Sequence, residues 1–337
     1  MRSPRPTRQH GPANVFHAGH TRARPKPGHS QAHPGVAPLG AISHRNTSFQ
    51  PLPRPLDLPP YHYSLVDKFP DIGDNITRQK KQIFHVVGDT GGVKDGEFQD
   101  NVAEHMIDQL TSNKGGKPLF CYHVGDVVYF TGSRDDYYAQ FYEPYANYDV
   151  PIFSIPGNHD GEVDDPSEQT SLDGWVDYFM QEHPDVDPIS KDAPRVQLDL
   201  PNVYWTFVRP LATIIGMYTN VPEHGSIDST QQQWLTHEFA TAPEDRALIL
   251  ALHHPIYSFD AFHSGSSRWR MRWKTPFATP DGCRTSFWRA MSTTISGSSR
   301  RSVRTRSRSS SPAMAATTTC TRLPVPSAGR RRTRAPC

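Results

Sequence analysis

The sequence is poor in hydrophobic residues and in cysteine. Only 35% of its 337 residues are hydrophobic and the mean hydropathy is −0.64. No apolar run approaches the roughly 20 residues that span a bilayer, which excludes a membrane-spanning protein. Three of the four cysteines lie at or after Cys283, and their spacing fits neither a disulfide framework nor a paired zinc site.

Acidic residues are nearly absent from both ends of the chain. Residues 1–60 carry eight basic and one acidic residue, and residues 267–337 carry sixteen basic and one acidic residue. Residues 61–266 carry 12 basic and 32 acidic residues. The sequence therefore predicts an acidic globular domain over residues 61–266 between two basic ends.

The first 60 residues lack apolar periodicity and are rich in Pro, Arg, His and Gly. Such a composition cannot bury enough apolar surface to offset the entropy of ordering, so we predict a disordered segment. The N-terminus also lacks the apolar stretch of a secretion signal, which favours a cytoplasmic location.

The acidic middle alternates between strand and helix patterns. Predicted strands cover residues 83–87, 119–124, 151–155, 195–200, 203–208, 212–218 and 247–252. Predicted helices cover residues 98–110, 135–148, 172–182 and 231–239. Strands that end in polar loops and lead into helices are typical of an α/β domain with buried strands.

Polar side chains follow four of these strands: Asp89, Asp126, Asn158 with His159, and His253. In open α/β sheets, ligands bind at the carboxyl ends of strands, where the loops converge. Carboxylate, amide oxygen and imidazole are donors that hold Fe, Mn or Zn. The set contains no thiol, which argues against a structural zinc site.

These residues belong to an ordered series of motifs. The series is Gly88-Asp89-Thr90-Gly91, Gly125-Asp126-Val127-Val128-Tyr129, Gly157-Asn158-His159-Asp160 and His253-His254-Pro255. Over residues 82–258 the chain resembles the calcineurin-like metallophosphoesterase superfamily. Within it, the chain is most similar to the purple acid phosphatase branch, because other branches place a His at the position of Gly91.

The resemblance implies two mixed sheets packed face to face between helices, and a pair of metal ions. Asp89 and Tyr129 would bind one ion, Asp126 would bridge both, and Asn158 and His253 would bind the other. The ions would be Fe paired with Zn, Mn or Fe. Tyr129 has an alternative interpretation, since a tyrosine at a strand end also serves simply as packing.

The resemblance also implies a reaction, the hydrolysis of a phosphate ester. Two cations about 4 Å apart can clamp a phosphoryl group and turn a bound water into a nucleophile. His159 would stabilise the phosphate or protonate the leaving group. The substrate within this class and the oligomeric state are left open.

One element of the resemblance is missing, a Gly-His-x-His loop that would give one His to each ion. The last histidine of the chain is His263, and an Arg- and Ser-rich segment follows over residues 267–337. One interpretation is a tail that binds nucleic acid by counterion release. Aromatic residues scattered without order through the segment are unusual for such a tail.

A second interpretation is a reading-frame shift near residues 266–268. Read one frame over, residues 287–298 can encode L-A-G-H-V-H-N-Y-Q-R-F, which restores the missing loop in the expected place. We therefore predict an α/β phosphoesterase domain that is incomplete at its C-terminus, with an out-of-frame, disordered tail and impaired activity. The alternatives are an inactive binding module and a nucleic-acid-binding protein.

Overall fold

The strands in the described part of the chain form two sheets. The computed structural model describes residues 48–91, 96–112, 116–165, 167, 169–256, 289–292 and 318–319. The strands are β1 (His62–Ser64), β2 (His85–Val87), β3 (Cys121–His123), β4 (Ile152–Ser154), β5 (Trp205–Val208), β6 (Ala212–Gly216), β7 (Ala247–Leu252), β8 (Arg289–Ser292) and β9 (Thr318–Thr319). The α-helices are α1 (Leu65–Lys68), α2 (Pro70–Gln79), α3 (Gly96–Thr111), α4 (Asn158–Gly161), α5 (Asp173–Phe179) and α6 (Ser229–Thr241).

The first sheet has the order β4-β3-β2-β9, and the second has the order β1-β5-β6-β7-β8. In the first sheet β2, β3 and β4 are parallel, and β9 runs antiparallel to β2. In the second sheet only β5 and β6 are antiparallel to each other. The carboxyl ends of β2, β3 and β4 therefore lie at one edge of the first sheet.

Aromatic side chains fill the space between the two sheets. Phe153 of the first sheet packs on Phe207 of the second with ring centroids 4.5 Å apart, and Tyr122 lies 5.8 Å from Trp205. All four side chains are buried. Two sheets that share one aromatic core and carry helices confirm the predicted α/β two-sheet fold.

Local sequence explains the elements that were predicted well. Helix α3 buries Ala103, Met106 and Leu110, which recur every three or four residues on one face. Helix α6 begins after Asp228, whose side chain accepts a hydrogen bond from the Gln231 N–H at 2.7 Å. Strand β7 coincides with the predicted apolar run, residues 247–252.

The predicted helix over residues 135–148 is wrong. The structure has a short 3-10 helix at Arg134–Asp136 and a π-helix at Tyr138–Tyr142, followed by turns. Phe141 lies 4.8 Å from the ring of Tyr178 in α5, so contacts with another helix shape this segment. Tertiary packing of this kind overrides local helical periodicity.

The predicted strand over residues 195–200 is also wrong. Its residues form two isolated bridges, Met180 with Asp199 and Val186 with Val196. The Leu198 N–H donates to the backbone carbonyl of Tyr178, the next-to-last residue of α5. The segment thus satisfies its backbone groups at the end of a helix, without joining either sheet.

Three elements before β2 were not predicted, namely β1, α1 and α2. Within residues 267–337 the structure describes only β8 and β9, and the rest of this predicted disordered tail lies outside the described residues, as do residues 1–47. In the described part of the chain, no helix is both long enough and apolar enough to cross a membrane.

Candidate metal and phosphoester site

Four strand ends meet at one edge of the molecule. Asp89 follows β2, Asp126 follows β3, and Asn158 begins α4 after β4. His253 comes directly after β7 of the second sheet. The site is therefore built from both sheets, as the sequence predicts for ligands at strand ends.

Asp89, Asp126 and His253 form a carboxylate–imidazole cluster. One ligand atom from each residue lies within 4.8 Å of the other two. The His253 Nε2 atom is 3.4 Å from Asp126 Oδ2, and its Nδ1 lies 3.0 Å from the carbonyl oxygen of Val124. A carbonyl can only accept, so Nδ1–H is the donor, and Nε2 is left facing the carboxylates.

The loops that carry the two carboxylates have an unusual backbone. Asp89 and Asp126 both have φ of 56°, and Gly125 has φ of 101°. A Cβ atom at Gly125 would lie 2.4 Å from Gly157 N, and one at Gly157 would lie 2.4 Å from Asp126 N. The loops after β3 and β4 thus touch backbone to backbone, which explains why glycine occupies both positions.

Asp160 ties these two loops together, a role that the sequence analysis did not assign. One carboxylate oxygen accepts the N–H groups of Asp126 and Gly157, each at 2.8 Å. The other oxygen accepts the N–H groups of Val127 and Val128 at 2.9 and 3.3 Å. Burial and the neighbouring Asp126 raise the pKa of the Asp160 carboxyl to about 7. Its place in the Gly157-Asn158-His159-Asp160 motif was the available signal.

His123 ties the first carboxylate loop to the second. Its Nδ1 accepts the Gly125 N–H at 3.2 Å, which leaves Nε2 to donate to Thr90 Oγ1 at 2.8 Å. Burial lowers the pKa of the His123 imidazole to about 3, so the ring is neutral. The sequence gives no signal of a function for this histidine, because it lies buried in β3 outside the four motifs.

Tyr129 reaches the cluster with its hydroxyl group. The hydroxyl donates a hydrogen bond to Asp89 Oδ1 at 3.1 Å. Burial, together with the charges of Asp126 and Asp89, holds the pKa of the phenol well above its usual value, so the phenol is protonated in the absence of a cation. The structure thus brings the proposed ligand Tyr129 to the proposed ligand Asp89.

His159 lies beside the cluster and forms an ion pair with Glu162. Its backbone N–H donates to Asp126 Oδ1 at 3.0 Å. Its ring Nδ1 lies 2.9 Å from the Phe130 carbonyl oxygen and 3.4 Å from Glu162 Oε1. Burial alone would lower the pKa of His159, but Asp126 and Glu162 outweigh it and raise the pKa to about 9. Asn158 lies one residue earlier and is half-buried.

The charges of the cluster are strongly linked. Burial alone would raise the pKa of Asp126, but the imidazoles of His253 and His159 outweigh burial and hold that pKa below its usual value. Burial raises the pKa of Asp89. Burial would lower the pKa of His253, but Asp126 and Asp89 outweigh it and raise that pKa. Protonation of His253 and a bound cation are thus alternative ways to balance the buried negative charge of the two aspartates.

The donor set fits a transition-metal ion. Carboxylate oxygens and an imidazole nitrogen converge within 4.8 Å, and the nitrogen that faces them is held in the tautomer that leaves its lone pair available. The hydroxyl of Tyr129 supplies a further oxygen beside Asp89. These residues can hold at least one ion among oxygen and nitrogen donors.

Comparison with solved structures finds partial similarities at low sequence identity. A purple acid phosphatase from yellow lupin (Lupinus luteus) seeds aligns with 58% of this chain and 36% of its own, at 16% identity and a TM-score of 0.38. GAP50, the anchor in the inner membrane complex of Plasmodium, aligns with 58% of this chain and 61% of its own, at 16% identity and a TM-score of 0.40.

The chain thus spans less than two thirds of the length of either structure. No curated protein sequence matches it. The family model for the calcineurin-like phosphoesterase matches residues 84–282. That match covers more than half of the chain and all four strand ends of the site, so the chain belongs to the calcineurin-like phosphoesterase family.

Proposed function

We propose that the chain is a metal-dependent hydrolase of phosphate esters. The observation that carries the proposal is the carboxylate–imidazole cluster, whose three ligand atoms lie within 4.8 Å of one another. The cluster lies within the residues that match the phosphoesterase family. Phosphoryl transfer needs a concentration of positive charge and an activated water, and bound metal ions supply both.

Each site residue has a role in this proposal. Asp89 and Tyr129 would hold one ion, Asn158 and His253 would hold another, and Asp126 would be a ligand of both. Support comes from the 3.4 Å separation of His253 Nε2 and Asp126 Oδ2, and from the hydroxyl of Tyr129 next to Asp89. Iron paired with Zn, Mn or Fe suits this mixture of hard oxygen donors and imidazole.

His159 is the proposed catalytic acid. Its Nδ1–H donates to the carbonyl oxygen of Phe130, so Nε2 is the nitrogen left to meet a phosphate oxygen or the leaving group. In the metal-free chain the pKa of this imidazole is raised to about 9, so the ring holds the proton that a general acid would donate. Glu162 stabilises the protonated form from 3.4 Å.

We further propose that the site of this chain is incomplete and its activity is impaired. No histidine follows His263, so the Gly-His-x-His loop is missing from the sequence. Strand β8 runs parallel to β7, and Ser292 lies opposite Leu252 next to His253. In the shifted reading frame the Gly-His-x-His codons fall at residues 289–293, so the loop would lie beside His253.

A comparison of two chains tests both parts of the proposal. The first is the chain with the present sequence, and the second has the frame restored after residue 266. Bound metal and hydrolysis of p-nitrophenyl phosphate are measured for each. We expect two ions and turnover for the restored chain, and weak metal binding with little hydrolysis for the present one. Nucleotide sequence across codons 260–270 checks the frame itself.

Other results would contradict the proposal in distinct ways. Two bound ions and ordinary enzyme turnover in the present chain would contradict the impairment. Metal binding without hydrolysis in the restored chain would favour an inactive binding module. Strong RNA binding that falls steeply with salt, together with an intact reading frame, would favour the nucleic-acid-binding alternative.

A further inference from the structure

We infer that Gln140 is a positioning residue that holds Tyr129 against Asp89 and thereby makes the site prefer a ferric ion over zinc. The ferric preference rests on the proposed function. The placement of Tyr129 by Gln140 does not, since it can be measured in the metal-free chain.

The side chain of Gln140 forms hydrogen bonds with both the N–H and the carbonyl group of Tyr129. Its Oε1 accepts the Tyr129 N–H at 2.9 Å, and its Nε2 donates to the Tyr129 carbonyl oxygen at 2.7 Å. Two hydrogen bonds to the same residue fix both peptide groups that flank its Cα atom. The direction in which the Tyr129 side chain leaves the backbone is therefore set by Gln140.

Gln140 is itself held in place by a helix. It lies in the π-helix Tyr138–Tyr142, and its backbone carbonyl accepts a hydrogen bond from Gln99 Nε2 at 2.5 Å. Gln99 is a buried residue of α3. Single π-turns are frequent at functional sites because they displace one side chain from the regular helical register.

The side chains of Gln140 and Tyr129 are tightly packed against the loop of Asp89. A Cβ atom at Gly91 would lie 2.6 Å from Gln140 Oε1 and 2.6 Å from Tyr129 Cδ2. The loop of Asp89 thus packs directly against the ring and the amide, with only a hydrogen atom between them. This packing leaves the Tyr129 hydroxyl 3.1 Å from Asp89 Oδ1, inside the reach of an ion bound by Asp89.

The position of the phenol oxygen bears on which ion is preferred. An anionic phenolate is a hard donor, and hard anionic oxygens stabilise a trivalent ion more than they stabilise zinc. If the ring can swing away from Asp89, the site loses that oxygen while the carboxylate–imidazole cluster stays. Ferric affinity should then fall much more than zinc affinity.

The first test measures position in the metal-free chain. Gln140→Met removes both hydrogen bonds at nearly constant volume, and we expect amide exchange at Tyr129 to become about tenfold faster. Gln197→Met is the matched control, because Gln197 also bonds two backbone groups, the Asp177 carbonyl at 2.6 Å and the Asp185 N–H at 3.2 Å. Exchange at Tyr129 should not change in the control.

The second test measures metal preference in the chain with the restored frame, which we expect to bind two ions. We expect Gln140→Met to lower the ratio of ferric to zinc affinity about tenfold, and to change it by less than about twofold in a Tyr129→Phe background, because Gln140 acts through Tyr129. The absorption band of a phenolate–iron bond should weaken with it. Gln140→Glu keeps the acceptor for the Tyr129 N–H and should have a smaller effect on this ratio. It is the test variant if Gln140→Met does not fold.

Three results would overturn the inference. They are unchanged amide exchange at Tyr129 in Gln140→Met, an equal change in Gln197→Met, and an equal loss of ferric preference with and without the Tyr129 hydroxyl. Absence of any ferric binding in the chain with the restored frame and no substitution would contradict the proposed function and the metal preference. The exchange experiment would still decide whether Gln140 positions Tyr129.

Discussion

The two sheets contribute to the site in different ways. The first sheet supplies Asp89, Asp126 and Asn158 on three loops, and the carboxylate of Asp160 alone binds four backbone N–H groups of these loops. The second sheet supplies His253, which bonds the Val124 carbonyl oxygen across the interface. Hydrogen bonds among the loops of the first sheet therefore fix most of the site, whereas the position of the His253 imidazole depends on how the two sheets pack.

The largest expected effect comes from the aromatic layer between the sheets. Phe207→Ala should lower the free energy of unfolding by about 3–5 kcal/mol, because it removes a buried ring that lies 4.5 Å from Phe153. Chemical denaturation measures this loss. Val196→Ala, at a half-exposed position, is the control. If the sheets unfolded in two separate transitions, the first sheet would not need the second.

The next effect concerns the residue that links both sheets. Asp126→Asn keeps the shape but removes the charge that faces His253 and His159, and metal affinity should fall by at least about 100-fold. Isothermal titration of the chain with the restored frame, using Mn or Zn, measures this affinity. Asp199→Asn, which alters a carboxylate bound to Tyr63, should leave affinity unchanged. Equal affinity in both variants would contradict a role for Asp126 as ligand.

We expect the hydrogen bonds of the Asp160 carboxylate to contribute less to the free energy of unfolding than the aromatic layer does. Asp160→Asn places an NH2 group against two of the four backbone donors, and the free energy of unfolding should fall by about 2 kcal/mol. Thermal denaturation of the metal-free chain measures the change. Asp160→Ala leaves all four donors without this partner and should cost more. An unchanged free energy of unfolding in Asp160→Asn would contradict this role of the carboxylate.

The smallest effect is a pH dependence. The folded-state pKa of His159 is about 9, above the usual 6.5, so its stabilising charge is fully present below pH 6.5 and is lost as the pH rises through 9. Between pH 7 and 9 the metal-free chain should lose about 1–2 kcal/mol through this group. His253 contributes with the same sign, so the comparison with His159→Gln isolates the effect of His159. Parallel curves for both chains would contradict it.

The sequence predicted the parts of the site that local patterns encode. Asp89, Asp126 and His253 each follow a short apolar run, and the structure brings all three together. The helix over residues 135–148 was predicted wrongly because its aromatic residues pack on α5. Helix α2 was missed, although Pro70 at its first position was a usable signal.

The supporting residues could not be predicted in the same way. His123 bonds Thr90 in another loop and Gln140 bonds Tyr129 in the preceding loop, and these partners are known only once the chain has folded. His123 resembles any buried histidine of a strand, and Gln140 resembles a surface residue of a helix. Their hydrogen-bond partners depend on tertiary structure, which periodicity does not encode.

A cluster whose donors come from both sheets has a thermodynamic consequence. An ion that binds the folded chain and not the unfolded one raises the stability by RT ln(1 + [L]/Kd), so the melting temperature depends on the free ion concentration. Because His253 follows a strand of one sheet and the two aspartates follow strands of the other, that gain acts on the docking of the two sheets. Chelators would then loosen the sandwich as well as empty the site.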